Sequence, residues 1–284
     1  QRGQPVAGPK PAEEMIMDIE ITSTQNPRIK AACLLRQGRG RQQQQRFLVD
    51  GEREIQRALT AGWPLEEVFV CESLLDRPES RQLYDQLVET GIPPCTVTSQ
   101  VMEKISFGDR SEGLLAVARL RALPDLNQLT PAPGMLVAVV ESVEKPGNLG
   151  AILRSADAAG VDAVILANQR TDPFNPNAIR ASTGIVFSMP LFAAPSEQVL
   201  AWLTGNGFKV CATRIDGSSS YLETDWTGLV AIILGEEASG LSSCWSGAGV
   251  TTISVHMRGQ ADSLNVSTTA AILFYEALRQ RLLQ

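Results

Sequence analysis

The stretch from Val250 to Gln284, VTTISVHMRGQADSLNVSTTAAILFYEALRQRLLQ, decides the fold. β-Branched residues dominate its start, which predicts a strand. A turn at Gly259 and a long apolar-periodic helix are expected to follow, with the Ser263 hydroxyl capping the start of that helix. The helix is expected to bury a face made of Val266, Ala270, Leu273, Ala277 and Leu278. The predicted order is therefore strand, loop and helix.

Two earlier segments have a similar layout, with glycine and a few polar groups at the end of an apolar strand. They are VAVVESVEKPGNLGAILRSADAAG (137–160) and LVAIILGEEASGLS (229–242). In open α/β sheets, ligands bind in the crevice beyond the carboxyl ends of the strands. We therefore expect one pocket built from three segments that are far apart in sequence.

Three short motifs stand in these segments. The pattern N-x-G-x-x-x-R falls on Asn148, Gly150 and Arg154, and the pattern S-L-N-V-S on residues 263–267. The pattern G-x-E-x-x-G falls between them, on Gly235, Glu237 and Gly240. In these motifs and their order the chain resembles the SpoU (TrmH-like) RNA ribose 2′-O-methyltransferases of the SPOUT superfamily. Each motif alone is weak, but three in the correct order make a chance match improbable.

Length and composition set broad limits. With 284 residues and 44% hydrophobic content, the chain is long enough for two domains with separate cores. It has no apolar run near the roughly 18 residues that a membrane span needs and no apolar signal core at its start, so a cytoplasmic protein is expected. The five cysteines are scattered and form no C-x-x-C pair, which argues against a disulfide framework and a zinc site. No metal is expected.

Charge is distributed unevenly along the chain. The net charge of −6 does not favour an RNA partner, but residues 28–57 hold eight basic residues against three acidic ones. Most charge runs are solvated helix faces, and that alternative stays open here. The segment QGRGRQQQQR (37–46) combines flexible glycine, glutamine and arginine, which favours draping over an RNA backbone. The expected RNA contacts are Arg28, Lys30, Arg39, Arg41 and Arg46.

The chain divides into four predicted regions. Residues 1–19 have the composition of a disordered arm, and strands alternate with helices over 20–121 to give a small α/β domain. That domain resembles the ribosomal-protein-like RNA-binding domain of SpoU enzymes. A linker over 122–134 contains three prolines, and βαβ repetition over 135–284 predicts a parallel sheet. For this last region the resemblance implies a SPOUT domain with a deep trefoil knot, against the general rule that chains do not thread loops.

The glycines near residue 150 do not form a dinucleotide site. PGNLGAILR lacks the G-x-G-x-x-G spacing of a pyrophosphate loop, so a nicotinamide enzyme is the weaker alternative. S-adenosylmethionine carries no phosphate and can be held by main-chain groups of tight loops, for which Gly235 and Gly259 are suited. The resemblance implies that this cofactor lies in the knot, with contacts at Gly235, Val255, Leu264 and Thr213.

The resemblance also implies the catalytic residues. Arg154 would engage the ribose 2′-hydroxyl, but guanidinium keeps its proton beyond about pH 12, so stabilising the developing alkoxide and clamping a phosphate is the expected role. Asn148 would bond the ribose or Arg154, or simply cap its helix. Glu237 would hold Arg154 by a charge-assisted bond, or is an exposed turn carboxylate. Ser263 and Asn265 would lie near the target nucleotide, with capping as the alternative and function favoured for Asn265.

These inferences predict a ribose 2′-O-methyltransferase that acts on structured RNA. Ribosomal RNA is the first candidate because the chain has a separate basic front domain, and transfer RNA stays open. A non-catalytic RNA-binding assembly factor is the alternative from another class. The last helix has apolar residues on more than one face, which favours a homodimer. These residues are Leu273, Phe274, Tyr275, Leu278, Leu282 and Leu283.

Overall fold

The computed structural model describes residues 20–107, 112–236 and 240–283, which form a four-stranded and a seven-stranded sheet. The predicted arm, 1–19, and Glu237 lie outside the described residues. No helix within the described ranges is long and apolar enough to cross a membrane.

The first sheet belongs to a small α/β domain, as predicted. Its strands are β1 (Arg46–Asp50), β2 (Leu65–Val70), β3 (Pro94–Thr96) and β4 (Leu114–Arg119). Its helices are α1 (Pro27–Leu34), α2 (Gly38–Gln44), α3 (Glu52–Thr60), α4 (Pro78–Glu89) and α5 (Ser99–Ile105). The order is β1-β4-β2-β3, with β4 antiparallel to both neighbours and β2 parallel to β3.

Helix α2 lies within the glycine- and glutamine-rich segment for which RNA contact was predicted, and it spans residues 38–44. Gly40 explains part of this packing, because a Cβ at that position would lie 2.0 Å from the Leu34 carbonyl oxygen. The absence of a side chain therefore lets α2 pack tightly against the end of α1.

The second sheet is entirely parallel, in the order β7-β6-β5-β10-β8-β11-β9. Its strands are β5 (Leu136–Glu141), β6 (Ala163–Ala167), β7 (Leu191–Ala194), β8 (Lys209–Thr213), β9 (Ser219–Ser220), β10 (Val230–Leu234) and β11 (Val250–Ser254). The helices are α6 (Pro146–Ala158), α7 (Pro176–Ala181), α8 (Ser196–Gly205) and α9 (Val266–Arg281). Every residue of β5, β6 and β10 is buried, as expected for strands covered on both faces.

Strand order brings the three motif segments to one place. Strands β5, β10 and β11 lie within four neighbouring positions of a parallel sheet, so their carboxyl ends open on the same edge. Beside that edge, α6 packs against both α7 and α9. Gly150 of the first motif serves this packing, because a Cβ there would lie 2.5 Å from the Ala178 carbonyl oxygen. The trefoil knot stays a prediction.

The two domains share one apolar core. The ring of Phe47 in β1 stacks on Phe174 of the second domain at 4.9 Å between centroids. The Trp63 indole N–H donates to the Phe187 carbonyl at 3.0 Å. Between the domains, the predicted linker is partly packed, since Leu126 is buried against the larger sheet. The predicted domain limits stay predictions.

Candidate functional site

A cleft of about 380 Å³ opens at the carboxyl edge of the larger sheet. Its walls are the segments that follow β8, β10 and β11, together with the start of α9. The predicted cofactor contacts Thr213, Gly235, Val255 and Leu264 all line it, and so does Ser263. Gly259 does not line the cleft; it lies exposed on the loop between β11 and α9.

The second motif forms a tight loop at one wall. The Glu236 carbonyl accepts a hydrogen bond from the Gly240 N–H at 3.0 Å. A Cβ on Gly235 would lie 2.7 Å from the carbonyl carbon of Gly240 and 2.8 Å from the Leu241 nitrogen. Gly235 is therefore required because the loop folds back on its own backbone. Of the described residues in this loop, Glu236, Gly240 and Leu241 also line the cleft.

The segment after β8 forms one wall of the cleft, and Thr213 is the only residue of this wall that the sequence analysis predicted. The Thr213 hydroxyl donates to the Ile233 carbonyl at 2.8 Å and so ties β8 to β10. Arg214, Ile215 and Asp216 continue the wall. Arg214 Nε donates to Asp216 Oδ1 at 2.9 Å, and this hydrogen bond lowers the pKa of the Asp216 carboxyl. The only signal in the sequence was a polar run at the end of an apolar strand.

The third motif supplies the N-cap residue of α9, which is Asn265 and not Ser263. The Asn265 side-chain oxygen accepts from the Ser267 N–H at 2.9 Å and from the Ser267 hydroxyl at 2.7 Å. The prediction that Ser263 caps this helix is wrong, because the helix begins at Val266 and residues 263–264 belong to the cleft wall. Asn265 therefore has a capping role.

Asn265 also reaches the first motif. Its Nδ2 donates to Asn148 Oδ1 at 3.2 Å, across 117 residues of sequence. The capping alternative for Asn148 is excluded, because α6 begins at Pro146 with Lys145 at the N-cap position. The Asn148 amide is thus held by a neighbouring motif, on the same side of the sheet as the cleft.

Arg154 lies farther along α6. Its side chain is exposed, does not line the cleft and forms no hydrogen bond or ion pair within the described part of the chain. A single chain therefore brings Asn148 and Asn265 together but leaves Arg154 facing outward. The predicted partner Glu237 lies outside the described residues.

The predicted RNA contacts differ in their surroundings. Lys30 and Arg39 are exposed, while Arg46 is partly buried and donates to Gln44 Oε1 at 2.8 Å. Arg28 is exposed but pairs with Glu67 at 2.5 Å.

The prediction for Arg41 is wrong. Its side chain is buried, with Nε donating to Asp172 Oδ2 at 2.6 Å across the domain boundary. Its Nη1 donates to the carbonyls of Leu35 and Arg36 at 3.0 and 3.1 Å. Arg41 is thus committed to the contact between the two domains and has no face left for phosphate.

The chemistry of the cleft fits S-adenosylmethionine. Apolar side chains such as Val255, Leu264 and Leu273 can cover an adenine ring, and main-chain groups of the glycine loop can meet its edge. Asp216 and Glu236 place carboxylates in the lining, which suits a ligand with a positive sulfur and an ammonium group. In the same described residues, no group of three or more histidine, cysteine or acidic side chains could hold a metal ion.

Two family models match the chain in succession. Residues 26–116 match the MRM3-like substrate binding domain, and residues 135–275 match the SpoU rRNA Methylase family.

Individual proteins show the same likeness. A 23S rRNA (uridine-2′-O)-methyltransferase of Streptomyces viridochromogenes is 30% identical, over 83% of this chain and 83% of its own. A crystal structure of an RNA 2′-O ribose methyltransferase is 44% identical with a TM-score of 0.83, covering 93% of this chain and 100% of the other. A structure of an AdoMet-bound rRNA methyltransferase from Sinorhizobium meliloti is 30% identical with a TM-score of 0.82, covering 92% and 97%.

Proposed function

Because the chain belongs to the SpoU rRNA methylase family, we propose that it transfers a methyl group from S-adenosylmethionine to a ribose 2′-hydroxyl of ribosomal RNA. The observation that carries this proposal is the cleft lined by the second and third motifs, to which the hydrogen bond between Asn265 and Asn148 joins the first motif. Neither the nicotinamide enzyme nor the non-catalytic assembly factor is supported by the relatives. Ribosomal RNA is preferred over transfer RNA because two of the three relatives described above are named for it.

The cofactor supplies a methyl group activated by a positively charged sulfur. Four lining residues would hold it in the cleft, largely through their main chains: Thr213, Gly235, Val255 and Leu264. The Asn148 and Asn265 amides orient the ribose at the mouth, so that its 2′-oxygen is positioned rather than activated by a strong base. The proton of the hydroxyl passes to water or to a neighbouring phosphate.

Arg154 stabilises negative charge as it develops on the 2′-oxygen and clamps the adjacent phosphate. Since this residue faces away from the cleft of its own chain, we assign it to the cleft of a second copy. The exposed apolar residues in and just after the last helix support such a homodimer: Tyr275 is 51% exposed, and Leu282 and Leu283 are each 76% exposed. Glu237 keeps its proposed role of holding Arg154 by a charge-assisted bond, and Ser263 keeps its proposed place near the target nucleotide.

The front domain binds the RNA backbone through Arg28, Lys30, Arg39 and Arg46. These residues lie on α1, α2 and β1. Strand β1 enters the core shared with the catalytic domain, and α2 is tied to that domain through Arg41 and Asp172. RNA bound there would therefore keep a constant position relative to the cleft. A cytoplasmic location stays a prediction.

The test is methyl transfer with defined RNA. Purified protein is incubated with methyl-labelled S-adenosylmethionine and unmodified ribosomal or transfer RNA, and the nucleosides are identified by mass spectrometry. The proposal expects a 2′-O-methylnucleoside from ribosomal RNA at one position. A methylated base, or labelling of transfer RNA alone, would contradict it.

A further inference from the structure

A buried carboxylate lies directly behind the glycine loop of the cleft. Glu141 is the last residue of β5 and only 2% of its surface is exposed. Val140 pairs with Leu234 in the neighbouring strand β10, so Glu141 stands level with Gly235, where the loop begins. Glu141 does not line the cleft and belongs to none of the three motifs.

Both oxygens of this carboxylate hold the other end of the loop. Oε2 accepts from the Ser242 N–H at 2.8 Å, and Oε1 accepts from the Ser242 hydroxyl at 2.8 Å. Oε1 also accepts from the hydroxyl of Ser196, the first residue of α8. Two of these three bonds therefore end on the residue that follows Leu241 of the cleft wall.

The charge state of Glu141 suits its place as a hydrogen-bond acceptor. Burial raises the pKa of the Glu141 carboxyl, but the hydrogen bonds from Ser196 and Ser242, together with a smaller effect of the Trp245 indole, outweigh burial and leave the pKa below its usual range. An ionised carboxylate only accepts hydrogen bonds, which matches three donors. A buried carboxylate would be costly without them, so its presence calls for a function in the structure.

We propose that Glu141 is a positioning residue for the cofactor, which holds residues 240–242 in place and thereby the shape of the cleft wall. The loop leaves β10 at Gly235 and returns to the sheet edge at Ser242, where Glu141 anchors it. Loss of the anchor would let Gly240 and Leu241 move away from the cleft. This inference rests on the proposed function, since it takes the cleft to be the cofactor site.

Two serine variants make a matched test, because each removes one hydroxyl that donates to the same oxygen, Oε1. Ser242→Ala weakens the anchor of the loop, whereas Ser196→Ala weakens only the contact with α8. By calorimetry with S-adenosylmethionine, Ser242→Ala is expected to raise the Kd roughly three- to tenfold. Ser196→Ala is expected to leave it unchanged, while both variants lower the melting temperature by similar amounts.

A third variant tests the carboxylate itself. Glu141→Gln places an amide donor against one of the serine donors, so it should raise the KM for S-adenosylmethionine more than kcat falls. A purely structural role would give equal Kd values for the two serine variants at equal loss of stability, and that result would overturn the inference. If the unaltered protein bound no S-adenosylmethionine, the proposed function itself would fail, which is a distinguishable outcome.

Discussion

Asn265 Nδ2 donates a hydrogen bond to Asn148 Oδ1 at 3.2 Å and joins the third motif to the first. The same Asn265 side chain caps α9 through the Ser267 N–H. One residue thus starts the last helix and fixes a polar group at the edge of the cleft. The two roles can be separated experimentally, because the hydrogen bond at the cleft needs Asn148 and the helix cap does not.

The Asn148–Asn265 bond is expected to matter for the reaction and the cap for stability. Asn148→Ala removes the bond and leaves the cap, whereas Asn265→Ala removes both. We predict that both variants lower the rate of methyl transfer at least about tenfold. Only Asn265→Ala should also lose about 1 kcal/mol of unfolding free energy in urea titrations. Full activity in Asn148→Ala would refute the role of the bond.

Arg154 is expected to act on the substrate alone. Arg154→Ala should lower the rate of methyl transfer at least about 100-fold, because the charge on the 2′-oxygen loses its stabilising cation. The Kd for S-adenosylmethionine by calorimetry should stay unchanged. Arg154→Lys serves as the control: it keeps the charge but loses the planar fork, so partial activity is expected. Equal losses of affinity and rate in Arg154→Ala would place the residue in the scaffold instead.

Subunit mixing tests whether Arg154 serves the partner. In Gly235→Val the added side chain meets the Gly240 backbone, so this subunit should have no working cleft. Mixed with an equal amount of Arg154→Ala, it should restore about a quarter of the wild-type rate, because half of the dimers are mixed and each has one complete site. If Arg154 acts within its own chain, the mixture has no more activity than the two variants measured separately.

Arg41 is expected to hold the two domains together. Asp172→Ala leaves the buried guanidinium without its carboxylate and should cost about 3 kcal/mol of unfolding free energy. Breaking the exposed pair between Arg170 and Glu144 with Glu144→Ala is the matched control and should leave the melting temperature unchanged. Equal effects of the two changes in thermal unfolding would contradict this role for Arg41.

Asp50 is expected to make stability depend on pH. Its burial raises the pKa of the carboxyl to about 6, despite the hydrogen bond from the Phe107 N–H. Between the unfolded pKa, about 3.9, and the folded pKa, the folded protein holds a proton that the unfolded chain has released. The free energy of unfolding therefore falls as pH rises through this range.

Asp50→Asn removes this dependence and keeps an oxygen to accept from Phe107. It should stabilise the protein at pH 7.5 by on the order of 1–3 kcal/mol and have little effect at pH 4, where the wild-type carboxyl is protonated. Melting temperatures at the two pH values check this. The same gain at both would show that the charge of Asp50 is not the cause.

Strong local patterns predicted most of the fold. The continuous apolar runs of β5, β6 and β10 are found as buried parallel strands, and the long helix predicted after Gly259 is found at Val266–Arg281. The strands depend on short-range periodicity and on the geometry common to parallel sheets. That Gly235, Val255 and Leu264 line one cleft was implied by the resemblance to SpoU enzymes.

The errors involve contacts that no local pattern contains. Arg41 looked like a phosphate ligand because its partner, Asp172, stands 131 residues away. Serine and asparagine are both common N-cap residues, so the sequence allowed either Ser263 or Asn265 to begin the helix. The structure has Asn265 at the N-cap position. The wall at Arg214 and Asp216 was missed, since only the strand order places the end of β8 between β10 and β11.

A crystal structure of the protein soaked with S-adenosylmethionine would test the central claim most directly. We predict electron density for the cofactor between residues 213–216, 235–241 and 255–264, with its sulfur side open toward Asn148 and Asn265. Density at any other place, or a cleft that stays closed to the cofactor while the protein methylates RNA, would contradict the account.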